Sequence, residues 1–297
     1  MLFSIVIPVY NMEDSVIATL DSIFHQSLYS NFYEVIIIDD DSKDESATLI
    51  KEYIDDKSNF HYFHKENSNW GGNINYIKNK HLTNGKYITI LDADDTYYYN
   101  CLNDVKKLID QYQDAEIVSS WYHRSFANGV KKVIKPFWTK RRIINNKDTY
   151  RTPYSLPIGK FYSQKLFYSC TNLKENVSFQ DAVLFQDMIN KSTGSLLQLN
   201  KIVGVWNSER VGNSSTEVWS AKKVEAWSSL IESLVNDYNA PLVGLMYSML
   251  KPYRNELKRN LIIKKAINYS WLPWYLRFPY KIIVKLYVLK IFEVKQE

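Results

Sequence analysis

Apolar and polar residues fall into alternating blocks along the first hundred positions. Residues 2–9 form an apolar run of strand length that ends near Pro8. Residues 14–26 instead space Val16, Leu20, Ile23 and Phe24 at helical intervals, with Asp14 or Ser15 placed to cap them. The same alternation continues. Strands are expected over 35–38, 60–63, 87–91 and 117–121, and helices over 42–53, 72–82 and 100–112, with Ser42 near an N-cap. Strands that are apolar on both faces and alternate with helices predict an α/β fold with a mostly parallel sheet flanked by helices.

After Trp121 the pattern changes. Residues 123–126 and 130–134 flank Asn128 and Gly129, which predicts a hairpin. Residues 135–160, with three prolines, read as irregular. Helices are expected over 163–169 and 181–190, a strand region over 196–206, and further helices over 218–238 and 242–250. A boundary is therefore placed between a 1–216 body and a helical, basic, aromatic C-terminal region at 217–297. The body divides further into halves at 1–121 and 122–216.

Composition narrows the picture. The 297 residues are 45% apolar and 23% charged, which excludes a disordered or fibrous chain. Two cysteines, Cys101 and Cys170, exclude a disulfide framework and a four-cysteine zinc site, and fit a reduced, cytoplasmic setting. They read as packing residues. The net charge of +5 is concentrated at the end: residues 251–297 hold eleven Lys and Arg against three Asp and Glu, which leaves the rest at −3. A mildly acidic body argues against nucleic acid as a partner. The N-terminal run lacks a basic region before it, so no signal peptide is expected, and no uncharged apolar run is long enough to predict a spanning helix.

Candidate chemistry lies where strands end. Asp39, Asp40 and Asp41 follow one expected strand; Asp92, Asp94 and Asp95 follow another. In an open α/β sheet ligands bind beyond these carboxyl ends. Carboxylates gathered in one cleft repel unless a cation compensates, and a hard divalent ion sharing its shell with substrate phosphates is a common solution. No glycine-rich phosphate loop is present. The plainer reading, that Asp is common in turns, weakens when two such clusters follow strands of one sheet.

With these residues in place, the chain resembles glycosyltransferase family 2, of the GT-A fold. The resemblance rests on SIVIPVYNMEDSVIATLDSIFHQS at 4–27, EVIIIDDDSKDES at 34–46, GKYITILDADD at 85–95 and FQDAVLF at 179–185, in that order. It implies a transferase that moves a sugar from a UDP-sugar to a hydroxyl of an acceptor glycan, a cell-surface polysaccharide or glycoprotein glycan carried on a lipid or a protein. Inversion and a need for Mn²⁺ or Mg²⁺ are implied too. By position, Pro8, Tyr10 and Glu13 would line the nucleotide pocket, and Asp40 would hydrogen-bond the uracil edge. Asp92 would face the ribose or the water shell of the metal, Asp94 would ligate the metal, and Asp181 would be the catalytic base. Residues 1–121 would then be the nucleotide-sugar-binding half and 122–216 the acceptor side. Elementary chemistry asks for the same parts: a carboxylate to take the acceptor proton and a cation for the departing diphosphate.

Three positions depart from the family pattern. Asp41 stands where members have Gly, Gln180 where they commonly have Glu, and the Asn69–Asn75 segment lacks the usual Arg-Asn pair. Arg210 could hold the diphosphate or be a solvated arginine. Trp70 and Trp206 could stack on a sugar or belong to the core. His64, His81 and His123 are spaced too widely for a zinc motif. For the aromatic, lysine-bearing tail two readings stay open. One is contact with the inner face of a membrane; the other is packing on protein, including a second copy of the chain. A catalytically inactive binding or scaffold protein of the same fold is the alternative function. Asp at both the metal and base positions argues against it.

Overall fold

The computed structural model of the protein describes residues 1–135, 142–143, 156–177 and 180–208. These lie in one compact unit, Met1–Asn146 with Ser155–Glu217. Arg210 and the expected helices of 217–297 lie outside the described residues.

Strand β1 (Phe3–Val9), helix α1 (Val16–Phe24), β2 (Tyr33–Asp39), α2 (Ser46–Ile54), β3 (Phe60–His64), α3 (Asn69–Lys80) and β4 (Tyr87–Ile90) follow in turn. Strand β1 pairs in parallel with β2 and β4, and β2 with β3. Next come β5 (Thr96–Tyr97), α4 (Cys101–Gln111), β6 (Ala115–Ser125), β7 (Lys131–Ile134), β8 (Arg142–Ile143) and β9 (Lys160–Ser163). Helices α5 (Gln164–Ser169) and α6 (Gln180–Lys191) and strand β10 (Ser195–Asn207) complete the described chain. The sheet order is β3-β2-β1-β4-β9-β6-β10-β5, with β7 on β6 and β8 on β10.

Each buried strand serves two cores, because its side chains alternate between faces. Ile5, Ile7 and Val9 of β1 and Val35 and Ile37 of β2 meet Leu20 and Ile23 of α1 and Val105 of α4. Val6, Ile36, Ile38, Ile88 and Ile90 meet Ile74 and Ile77 of α3, Phe167 of α5 and Phe185 and Met188 of α6. This is why those strands read as apolar runs rather than alternating ones.

Parallel pairing holds for the first four strands and for β6 with β10; β9 enters antiparallel between β4 and β6. A central strand thus starts at Lys160, where the stretch expected to be irregular ends and no strand was expected. Its first residue, Lys160, is fully buried, and a lysine there hides the strand from any apolar count. The 123–134 hairpin forms as β6 and β7, with Gly129 at φ 77° in its turn.

Candidate active site

Strand β1 lies between β2 and β4, and the chain order reverses there, so a crevice opens beyond the carboxyl ends of these strands. Both acidic clusters reach it.

On the β2 side the three aspartates have different tasks. Asp39 accepts from the Ser42 N–H at 2.9 Å and from the Tyr62 hydroxyl at 2.6 Å, so both its oxygens hold the turn together. Asp40 is 1% exposed. Its N–H donates to the Val9 carbonyl at 2.8 Å. Its Oδ1 takes the Lys65 ammonium and the Ser68 N–H at the start of α3. Its Oδ2 has no partner among the described residues. Asp41 adopts φ 65°, the left-handed conformation its glycine counterpart would take freely. An aspartate tolerates it better than most residues. The Lys43 ammonium at 2.8 Å, with His64 beyond, holds its carboxyl below the usual range.

The loop after β1 is fastened to the loop after β2. The backbone N–H groups of Asn11, Met12 and Glu13 donate to Ser42 Oγ, Ser46 Oγ and Asp44 Oδ2 at 3.0, 2.7 and 3.0 Å. Asn11 and Glu13 return the bonds to the N–H groups of Lys43 and Glu45. Ser42 is therefore a loop partner, and α2 begins at Ser46 rather than at the Ser42 cap expected from sequence. Glu13 acts here as a clasp. Pro8 is buried in β1 beside Ile38, and Tyr10, 45% exposed, stands at the strand mouth.

On the β4 side the chain turns sharply, with the Asp95 N–H donating to the Asp92 carbonyl at 2.9 Å. Neighbouring elements pin the turn. Ser15 Oγ donates to the Ala93 carbonyl at 3.0 Å and Thr19 Oγ1 to the Asp95 carbonyl at 2.8 Å. Asn207 donates to the Asp94 carbonyl at 2.6 Å and to Asp95 Oδ1 at 2.9 Å. Ser15 thus sits at the N-cap position of α1 without capping it; its hydroxyl holds the acidic turn instead. Asp92 accepts from the Trp70 indole N–H at 3.0 Å. Burial, then the charges of Asp94 and Asp181, push the Asp92 carboxyl up to about 7. Burial, then the charges of Asp94 and Asp92, raise Asp95 well above its ordinary value.

Asp181 arrives from the other side, in the first turn of α6. The segment leading to α6 is bolted to α3: Asn75 accepts from the Leu173 N–H and donates to the Leu173 carbonyl, both at 2.9 Å. Gly71 permits the approach, since a Cβ there would stand 2.6 Å from the Lys174 carbonyl. Gln180, at the position where glutamate is common, accepts from the Lys174 N–H at 2.9 Å and steadies the same segment. The charge of Asp181 is felt by Asp92, by Lys160 and by Tyr162. Of the other acids nearby, Asp187 is 4% exposed and already accepts from Thr171 and Lys191.

The fold thus gathers Asp92, Asp94 and Asp181 at the end of β4, and places Asp40, Pro8, Tyr10 and Glu13 at the adjoining ends of β1 and β2. Sequence reasoning did not single out Lys65, the counter-charge of Asp40, or Lys160, the cation beside Asp181. Isolated lysines carry no pattern, and only topology joins them to their acids. Trp70, left open between sugar stacking and core, is half-buried and bonded to Asp92. Cys101 and Cys170 are buried free thiols, and His123 bonds the Tyr98 hydroxyl at 2.7 Å.

A divalent cation fits this donor set in part. Among the described residues no three acidic, histidine or cysteine side chains could hold an ion by themselves. Carboxylate oxygens at Asp92 and Asp94 would supply part of an oxygen shell, with phosphates and water as the remainder, the usual arrangement for Mg²⁺ with a phosphorylated substrate. Two half-buried carboxylates whose charges act on each other are the electrostatic situation that such an ion relieves.

The sequence profile of glycosyl transferase family 2 matches residues 4–170. The uncharacterized glycosyltransferase MG025 of Mycoplasma genitalium is 35% identical over 281 residues, covering 93% of this chain and 92% of its own. The minor teichoic acid biosynthesis protein GgaA of Bacillus subtilis is 28% identical over 197 residues, 64% of this chain and 44% of its own. Among solved structures, S. aureus TarS 1–349 in complex with UDP-GlcNAc superimposes with a TM-score of 0.65 at 19% identity. That match covers 80% of this chain and 67% of TarS 1–349. The mannosyltransferase PcManGT of Pyrobaculum calidifontis, in complex with GDP-Man and Mn²⁺, gives 0.57 at 15% identity over 99% and 86%. The sheet and its flanking helices are those of the GT-A fold, and the chain belongs to glycosyltransferase family 2.

Proposed function

We propose that this glycosyltransferase moves a sugar, with inversion, from a UDP-sugar to a hydroxyl of an acceptor glycan, in a reaction that depends on Mn²⁺ or Mg²⁺. The observation that carries the reading is the convergence of Asp92, Asp94 and Asp181 beyond β4, with Asp92 pushed to about 7 by burial and by the other two. Asp40 would bind the uracil edge through Oδ2, because Oδ1 is committed to Lys65 and Ser68. Tyr10 and Pro8 would flank the base, while Glu13 keeps their loop in place. Asp94 and Asp92 would hold the cation, which when bound offsets the charge that develops on the leaving diphosphate. Asp181 would take the proton from the acceptor hydroxyl as that oxygen forms its bond to the anomeric carbon and the diphosphate oxygen departs. The TarS complex supports a UDP-sugar donor and the PcManGT complex a divalent metal.

In this reading residues 1–121 bind the nucleotide-sugar and 122–216 present the acceptor, with Arg210 near the diphosphate. The basic, aromatic residues of 217–297 would meet the inner face of a membrane or a second copy of the chain. No helix among the described residues is long and apolar enough to cross a membrane. The test is UDP release from a panel of UDP-sugars with Mn²⁺ and with EDTA, for the wild type and Asp181→Asn. Asparagine is nearly isosteric but accepts no proton, so release should fall by about 10²–10⁴. UDP-sugar should still protect the variant thermally, because that protection depends only on affinity for the native state. A variant within a few-fold of wild type would make Asp181 only a helix-start acid.

A further inference from the structure

Resting on the transfer reading above, we propose that Arg124 and Lys132 form an anion site on the acceptor half, and that the acceptor is a glycan carrying a phosphate group.

Strands β6, β7 and β10 build the site. Arg124 is in register with Lys132 of β7 on one side and with Trp206 of β10 on the other, so the three side chains form a row on one face. The guanidinium carbon of Arg124 stands 4.7 Å from the centre of the Phe126 ring and 4.7 Å from that of Trp206. Its Nε donates to Ser208 Oγ at 2.9 Å, and Ser208, fully buried, donates in turn to the Ser125 carbonyl at 2.9 Å. Two rings and one hydrogen bond thus hold the fork in place and commit one of its five N–H groups. Its Nη groups bond no described residue.

The charge around it has no counterpart. Residues 121–135 include Arg124, Lys131, Lys132 and Lys135 and no Asp or Glu. Among the described residues no acid pairs with Arg124 or Lys132. Lys132 Nζ stands 5.5 Å from the same Phe126 ring. Like charges directly opposite on neighbouring strands destabilise a sheet, and an anion shared by both removes that cost. A fixed guanidinium meets phosphate through two parallel bonds, and the second cation adds to the charge the group meets.

Topology says which substrate brings the anion. Strand β9 is antiparallel to both β4 and β6, so β4, β6 and β10 send their carboxyl ends to one edge of the sheet. Ile88 and Ile117 both face Tyr162, which sets Asp92 level with Trp121. Arg124 then lies two strands across from Asp92 and three residues further out, about 10 Å in each direction. The donor diphosphate belongs at Asp94 in this reading. A phosphate at Arg124 therefore sits on the acceptor, away from the hydroxyl that attacks.

The experiment uses the full chain with UDP and Mn²⁺ present, so that the donor site is filled. Calorimetry compares N-acetylglucosamine 1-phosphate with uncharged N-acetylglucosamine, and vesicles of phosphatidylglycerol with vesicles of phosphatidylcholine. The sugar phosphate should bind more tightly than the neutral sugar, and less so as salt is raised. Arg124→Gln should weaken it about tenfold or more, and Lys132→Gln about two- to fivefold. Arg124→Lys keeps the charge but loses the fork, and should fall between wild type and Arg124→Gln. Lys132 is exposed on β7, so Lys132→Gln reads the site even if Arg124→Gln does not fold. Equal binding of sugar phosphate and neutral sugar, or of wild type and both glutamine variants, overturns the anion site. Weaker UDP binding in Arg124→Gln would assign the arginine to the donor and overturn the acceptor assignment. Loss of phosphatidylglycerol vesicles by Arg124→Gln, with sugar phosphate still bound, would make the surface a membrane contact and overturn it too. Absence of UDP release from every UDP-sugar by the wild type overturns the transfer reading instead, and the sugar-phosphate titration is read independently of that result.

Discussion

Trp70, in the first turn of α3, donates its indole N–H to Asp92 Oδ1 at the end of β4 across 3.0 Å. The bond joins two elements that the sequence separates by 22 residues. It fixes Oδ1 and so limits how the Asp92 carboxylate can turn. The same helix start is tied to Asp40 through the Ser68 N–H, so α3 braces both acidic clusters.

Trp70→Phe keeps most of the packing and removes the donor. If Asp92 helps to hold the cation, the Mn²⁺ concentration for half-maximal UDP release should rise about tenfold, the usual scale for losing a partner of a metal ligand. Thermal stability should change little. An unchanged Mn²⁺ dependence would reduce Trp70 to a packing residue.

Asp94→Asn should abolish metal-stimulated release and leave the fold intact. The turn is held through the Asp94 carbonyl by Asn207, not through the side chain alone. Release measured across a Mn²⁺ series, together with the melting temperature, separates the two effects. Near wild-type rates would remove Asp94 from the metal site.

Asp40 calls for two variants. Asp40→Ala strips the partner from Lys65 and from the Ser68 N–H, so the fold should lose about 1–3 kcal/mol before any effect on binding is read. Asp40→Asn keeps an acceptor for those groups but changes what Oδ2 offers to a base edge. Calorimetry should show weaker UDP binding in Asp40→Asn with a smaller loss of stability than in Asp40→Ala. Equal UDP affinity in Asp40→Asn and wild type would place the uracil elsewhere.

Much of the site was legible because its acids follow strands. Runs such as Val35–Asp39 mark the sheet, and an Asp directly after each run marks its carboxyl end. The 85–95 and 179–185 motifs then set Asp94 and Asp181 apart from other acids. The cations were not legible. Lys65 and Lys160 meet Asp40 and Asp181 only through the crossings of β3 and β9, and a single lysine has no period to betray burial. Strand β9 was missed for the same reason, since its first residue is the buried Lys160. The caps failed differently: Ser15 and Ser42 occupy cap-like positions, but tertiary partners claim both hydroxyls.

Lys160 also gives stability a pH dependence whose sign follows from its surroundings. Burial lowers its folded value from 10.5 to about 7, so between these values the unfolded chain holds a proton that the folded chain has released. Stability from this group therefore rises with pH through that window, by at most about 1.4 kcal/mol per pH unit. Lys160→Met removes the titration. The stability of the variant minus that of wild type should fall steadily from pH 7 toward pH 10. The slope carries the test rather than the difference at one pH, because the substitution also removes the bond to the Leu156 carbonyl and changes the packing on Phe185. Groups common to both proteins, Asp92 among them, cancel to first order. Urea unfolding at several pH values reads the difference directly. A flat difference over this window would mean that Lys160 keeps its proton in the fold, so that its attraction to Asp181 outweighs the cost of burial.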